Sequence, residues 1–119
     1  MERFTPAWVA KVEQGLRFGA ANAGRAMLVR YEDLLDRADD TVAEVLRFLE
    51  VEATAEIVRQ CVAASAFEKM SGGRALGVED RSSFLRQGKS GNWREHLTPA
   101  DNEKFLSRAG AAMTHLGYR

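Results

Sequence analysis

The stretch Phe84–Thr98, FLRQGKSGNWREHLT, concentrates the residues of this 119-residue chain that could do chemistry. Two glycines stand three apart, Gly88 and Gly91, among Arg86, Lys89 and Arg94, with Trp93 beside them. From Arg81 to Arg94 there are four basic residues and no acidic one. Glycine lets a backbone turn sharply and bring its N–H groups close to a ligand. Guanidinium groups grip phosphate oxygens in pairs. The combination suggests a loop that holds a phosphate, although a solvated surface loop carries the same residue types.

The rest of the composition makes any such site a local one. Lys plus Arg equal Asp plus Glu at 17 each, so no global charge points to nucleic acid or to a membrane surface. The apolar share of 45% and the charged share of 29% are those of a globular chain, within the size of a single domain over residues 1–119. The basic stretch is short and has few aromatics for stacking, which argues against nucleic acid. No apolar run approaches the length of a membrane span, and MERFTPAW lacks the apolar region of a secretory leader. One cysteine, Cys61, cannot form an internal disulfide; within Ile57, Val58, Cys61 and Val62 it reads as a small buried hydrophobe. Together these features predict a cytoplasmic protein.

Several elements are available to position the loop. Thr5-Pro6 predicts a helix start, and Trp8, Val9, Val12 and Leu16 continue at helical spacing until about residues 20–23. Ala26–Tyr31, AMLVRY, is a short apolar run that predicts a buried strand of a parallel sheet. Glu32–Leu35 predicts a helical turn, and Thr41 with Glu44 fits a capping box ahead of a helix over 41–50. Thr54 is placed to cap a third helix, and AFEKM at 66–70 forms a further turn. From Ser71 to Asn92 the periodicity fades, a length that marks a functional or disordered loop. Thr98-Pro99-Ala100-Asp101 opens a long last helix whose Phe105, Leu106, Ala109, Ala112, Met113 and Leu116 share one face, with Gly117 to end it. The expected class is α/β, mostly helical, with one strand at about 26–31 and a long C-terminal helix. A lone strand leaves its backbone groups without partners, so the expectation is a part of a larger fold.

LVRYEDL at 28–34, SAFEKM at 65–70 and FLRQGKSGNWREHLTPADNEKF at 84–105 resemble, in order and spacing, the cytosolic-type sulfotransferases. The resemblance covers roughly residues 26–118 and implies the C-terminal half of a P-loop-type sulfotransferase domain. It implies transfer of a sulfuryl group from 3′-phosphoadenosine-5′-phosphosulfate (PAPS) to a small-molecule hydroxyl or amine acceptor, without a metal. By this likeness Arg86 matches the arginine that grips the 3′-phosphate, and Gly88 the first glycine of the family's RKGxxGDW motif. Gln87 stands in place of a lysine, so one positive charge is missing, and Asn92 replaces an Asp. Tyr31 matches a tyrosine near the adenine, Ser65 a small hydroxyl residue near the base, and Phe67 and Met70 apolar positions around it. Phe67 and Met70 read equally well as plain core. Trp93 reads as an anchor for the loop.

Other family features are altered or missing. Arg94, Thr98, Pro99 and Glu103 fall on the positions of a short dimer contact, where Pro99 removes a backbone donor and predicts a weak homodimer at best. The 5′-phosphosulfate loop has no counterpart: Gly72–Gly77 is followed by Val78-Glu79, and Ser83 stands where Gly88-Lys89-Ser90 would need a first glycine. His96 and His115 lie outside the family's catalytic position, so no catalytic residue is assigned. The expectation is therefore a chain that supplies the 3′-phosphate and adenine half of the site and is inactive alone. Its other half would come from a missing N-terminal segment or from self-association through the unpaired strand. The alternative is a truncated non-catalytic module that binds an anion or a partner chain.

Overall fold

The protein, described by a computed structural model over residues 4–118, divides into two compact units, Met1–Ala26 with Asn92–Arg119, and Met27–Gly91. Residues 1–3 and 119, which the single-domain and leader readings take in, lie outside the described residues.

The discontinuous unit is built on two helices, α1 (Phe4–Ala21) and α7 (Pro99–His115), which pack together. Trp8 and Phe105 meet with ring centroids 5.5 Å apart, tilted by 55°, a geometry that suits the aromatic quadrupole. Ala109 and Ala112 are buried on α7, where small side chains let a neighbour approach. Phe4 already belongs to α1, so Thr5 is a buried helical residue and not the expected cap. In the second segment of this unit a short turn, α6 (Trp93–His96), precedes α7.

In the continuous unit α2 (Tyr31–Asp36), α3 (Ala38–Phe48), α4 (Ala55–Ala64) and the single turn α5 (Phe67–Met70) lead into the loop 71–91. Helix α3 packs on both α2 and α4, and Val58 of α4 is the buried apolar residue of this unit. Thr54 caps α4 as expected, its hydroxyl accepting the Ile57 N–H at 3.3 Å. Thr41 does something else. It lies inside α3, 2% exposed, and its hydroxyl donates to the Asp33 carbonyl at 3.0 Å, pinning α2 to α3. The expected capping box with Glu44 is overturned because α3 begins at Ala38, a turn earlier.

The expected parallel-sheet strand at 26–31 is also overturned. Among the described residues there is no strand and no sheet, so the fold is helical and not α/β. Residues 26–30 run without regular structure, Leu28 63% exposed, and Tyr31 joins α2. A strand is stabilised by ladder partners, and an apolar run of five or six residues has none to pair with here. What organises the segment is electrostatic. Arg30 holds both carboxylate oxygens of Asp33 at 3.0 Å, Arg37 reaches the same group at 3.4 Å, and Glu32 and Asp33 sit in the first turn of α2. Acids there favour the helix dipole, so the chain turns helical at Tyr31. Cys61, expected to be buried, is exposed: α4 turns Val58 inward and leaves Cys61 outside.

Candidate functional site: the loop after α5

The loop 71–91 is irregular but closely tied. Gly77 N–H donates to the Gln87 carbonyl at 2.9 Å and Asp80 N–H to the Arg86 carbonyl at 3.1 Å, so its outgoing and returning limbs are held together. Asp80 organises the tip, its carboxylate accepting the Ser82 N–H at 2.9 Å and the Ser82 hydroxyl at 2.7 Å. These contacts hold the Asp80 carboxyl below the usual carboxylate range, the Ser82 hydroxyl being the largest cause.

Arg74 secures the returning limb. Its guanidinium donates to the backbone carbonyls of Leu85 and Arg86, to the Val78 carbonyl at 3.3 Å and to Ser83 Oγ at 3.1 Å. Its carbon lies 5.3 Å from the centre of the Phe67 ring. Sequence reasoning missed this residue. The signal was a lone cation inside a glycine-rich stretch, beside the more obvious cluster at 86–94.

These bonds fix the direction of three successive peptide groups. The carbonyls of Leu85, Arg86 and Gln87 all turn toward the 74–80 limb. In a trans peptide the N–H points opposite to the carbonyl, and no peptide bond here is cis. The N–H groups of Arg86, Gln87 and Gly88 therefore face away from that limb. Successive N–H groups turned to one side are the backbone form of an anion-binding concavity. Gly88 completes it with φ of 67°, a left-handed conformation in which a Cβ would be strained. Such a Cβ would also lie 2.5 Å from Phe67 Cδ2 and 2.8 Å from Leu76 Cδ1, so the ring packs directly against this glycine.

Among the expected site residues, Arg86, Gln87, Gly88 and Phe67 are thus brought together. Met70 ends the same helical turn as Phe67 and is 59% exposed. Ser65 caps the end of α4, its hydroxyl donating to the Cys61 carbonyl at 2.8 Å. Tyr31 stands exposed at the start of α2. No hydrogen bond among the described residues links Tyr31 or Ser65 to the loop. Phe84, next to Leu85, is fully exposed. Lys89 lies over Gly77.

The Arg86 guanidinium has a partner that the sequence reading did not foresee. Its Nη2 donates to Glu79 Oε1, while Arg81 Nε reaches the other carboxylate oxygen at 3.3 Å. The two arginines, Arg86 first, hold the Glu79 carboxyl below the usual range. Glu79 is thus an internal anion that holds the Arg86 guanidinium toward the 74–80 limb.

In the discontinuous unit, the Arg94 guanidinium stacks over Trp93 at 4.6 Å, and Thr98, Pro99 and Glu103 belong to the start of α7. Thr98 and Asp101 form a capping box with Pro99 at the first turn, so the positions of the expected dimer contact begin a helix. His96 ends α6 and His115 lies in the last turn of α7. No helix among the described residues is long and apolar enough to cross a membrane.

Residues 4–117 match the sulfotransferase domain, and the chain belongs to that family. It is 33% identical over 98 residues to sulfotransferase 2A1 of Macaca fascicularis, covering 76% of this chain and 34% of the relative. Human sulfotransferase 1E1 is 29% identical over 90 residues, covering 68% and 31%. Sulfotransferase 1B1 of Canis lupus familiaris is 28% identical over 88 residues, covering 66% and 30%. The matched regions span about a third of the length of these curated relatives. No solved structure matches significantly.

Proposed function

We propose that this chain carries the 3′-phosphate-binding part of a PAPS-dependent sulfotransferase domain. The observation that carries the reading is the set of N–H groups of Arg86, Gln87 and Gly88, turned to one side of the loop, while the Arg86 guanidinium is held by Glu79 of the opposite limb. A phosphate monoester carries about −1.5 to −2 charge near neutral pH, more than the single charge of a carboxylate. It would draw Arg86 from Glu79 and accept the backbone donors at once, while Gln87 contributes no charge. Phe67, packed on Gly88, and Met70 beyond it would border the base. Tyr31 and Ser65 belong to the proposed nucleotide site only if the ligand itself spans the distance between them and the loop. The family relationship supports sulfuryl transfer to a hydroxyl or amine, in the cytoplasm, as the reaction of the whole domain.

The experiment is titration of the purified chain with 3′,5′-adenosine bisphosphate and with 5′-AMP. The bisphosphate is expected to bind more tightly, and Arg86→Ala to remove that preference, a loss of at least about tenfold for a charge-assisted pair. Equal binding of the two nucleotides would sink the 3′-phosphate reading. The purified chain is expected to show no turnover of PAPS with phenol or alcohol acceptors, because the resemblance gives no residue of this chain the role of the catalytic histidine or of the 5′-phosphosulfate loop. One observation favours the alternative, a non-catalytic module: Glu79 already satisfies Arg86. Absence of bisphosphate binding at millimolar concentration would select it.

A further inference from the structure

We infer that Arg74 is a positioning residue for this site: it acts through the loop backbone and makes the Arg86–Gly88 concavity possible. The inference rests on the 3′-phosphate reading above. A guanidinium presents several donors in one plane, and Arg74 spreads them over three carbonyls and one hydroxyl. Two of those carbonyls, Leu85 and Arg86, belong to the peptide groups whose opposite ends are the N–H groups of Arg86 and Gln87.

Without Arg74 the Leu85 carbonyl loses its donor on the inner side and is free to turn outward, while the Arg86 carbonyl keeps only the Asp80 N–H at 3.1 Å. The Leu85 carbonyl would then present negative partial charge where the anion is to bind. Arg74 therefore sets the sign of that end of the loop's surface. Its stacking on Phe67 places the same residue against the ring that packs on Gly88, so backbone and ring are registered together. Backbone bonds reinforce this at Gly77 and Asp80, but each donates to one carbonyl, and neither reaches Leu85.

Lysine cannot replace this role. Its ammonium is a point charge on a flexible stem, with no planar fork to bridge Leu85, Arg86 and Ser83 at once. The test uses the full chain and calorimetric titration with 3′,5′-adenosine bisphosphate and with 5′-AMP, for the wild type, Arg74→Lys and Arg74→Ala. Far-UV circular dichroism checks that the helices persist. The expected result is a loss of at least about tenfold in bisphosphate affinity in both variants, with 5′-AMP affinity changed less than about twofold. Methylguanidine added to Arg74→Ala should restore part of the loss, and should do nothing for Arg74→Lys.

Wild-type bisphosphate affinity in Arg74→Lys overturns the inference, since a point charge would then suffice. Equal loss for both nucleotides also overturns it, because that is general damage and not positioning of the 3′-phosphate loop. If the wild type itself shows no preference for the bisphosphate, the underlying reading fails and takes this inference with it. That outcome is separate from variants that retain a wild-type preference.

Discussion

Helix α7 and the loop 71–91 are ordered by opposite means. In α7 every terminal device is local. The Thr98 hydroxyl accepts the Asp101 N–H at 3.2 Å, the Asp101 carboxylate accepts the Thr98 N–H at 3.2 Å, and Gly117 closes the helix with φ of 82°. The loop is ordered by contacts between residues far apart in sequence: Arg74 with Leu85 and Arg86, Gly77 with Gln87, Glu79 with Arg86, Phe67 with Gly88. Closing such a loop costs conformational entropy that a helix cap does not incur. A few side chains must offset that cost. The region proposed to bind ligand is therefore also the one that single substitutions should disrupt most.

The largest break in that comparison is expected from Gly88→Ala. The added methyl meets the Phe67 ring and Leu76 in a backbone conformation that L residues rarely adopt. The loop would have to give up its turn at Gly88 or its packing on Phe67. Bisphosphate affinity should fall by about tenfold or more, while helical circular dichroism stays close to wild type, since Gly88 lies in no helix. Wild-type affinity would show that the concavity does not depend on this turn.

A smaller and opposite result is expected from Thr98→Ala. Loss of an N-cap of this kind destabilises a helix by about 1 kcal/mol. A lower midpoint in chemical denaturation should appear without a change in bisphosphate affinity. If binding weakened as much as in Gly88→Ala, the division between a locally ordered helix and a separately ordered loop would not hold.

This difference also accounts for what the sequence made legible. Thr54 and Thr98 were readable as caps because their partners lie three residues on. Arg86 and Gly88 were named as site residues by a resemblance in motif order, and their role is a proposal. The strand at 26–31 failed because apolar, β-favouring residues state a preference, whereas a strand needs a neighbour. Thr41 failed as a cap because its hydroxyl is used across helices, on Asp33. Glu79 and Arg74 carried no local signal, since their partners are fixed only once the loop closes. Helical spacing could name the candidates for burial on α4, but not that Val58 would be buried and Cys61 exposed.

The smallest expected effect concerns the acid within the loop. Glu79 is held below the ordinary carboxylate range mainly by its hydrogen bond from Arg86, then by that from Arg81, with desolvation opposing both. A carboxyl depressed in the folded chain contributes its tie above the unfolded value, and loses it as pH falls through the lower folded value. The Glu79–Arg86 tie is therefore intact at neutral pH and is lost in acid, below the usual glutamate range. Followed by NMR, the Glu79 carboxyl should titrate closer to its ordinary value in Arg86→Ala, though Arg81 keeps part of the depression. If Glu79 competes with the phosphate, Glu79→Gln should tighten bisphosphate binding a few-fold at neutral pH, about what an exposed ion pair is worth. Weaker binding in Glu79→Gln would reverse its role, making the carboxylate a support that holds Arg86 in place for the phosphate.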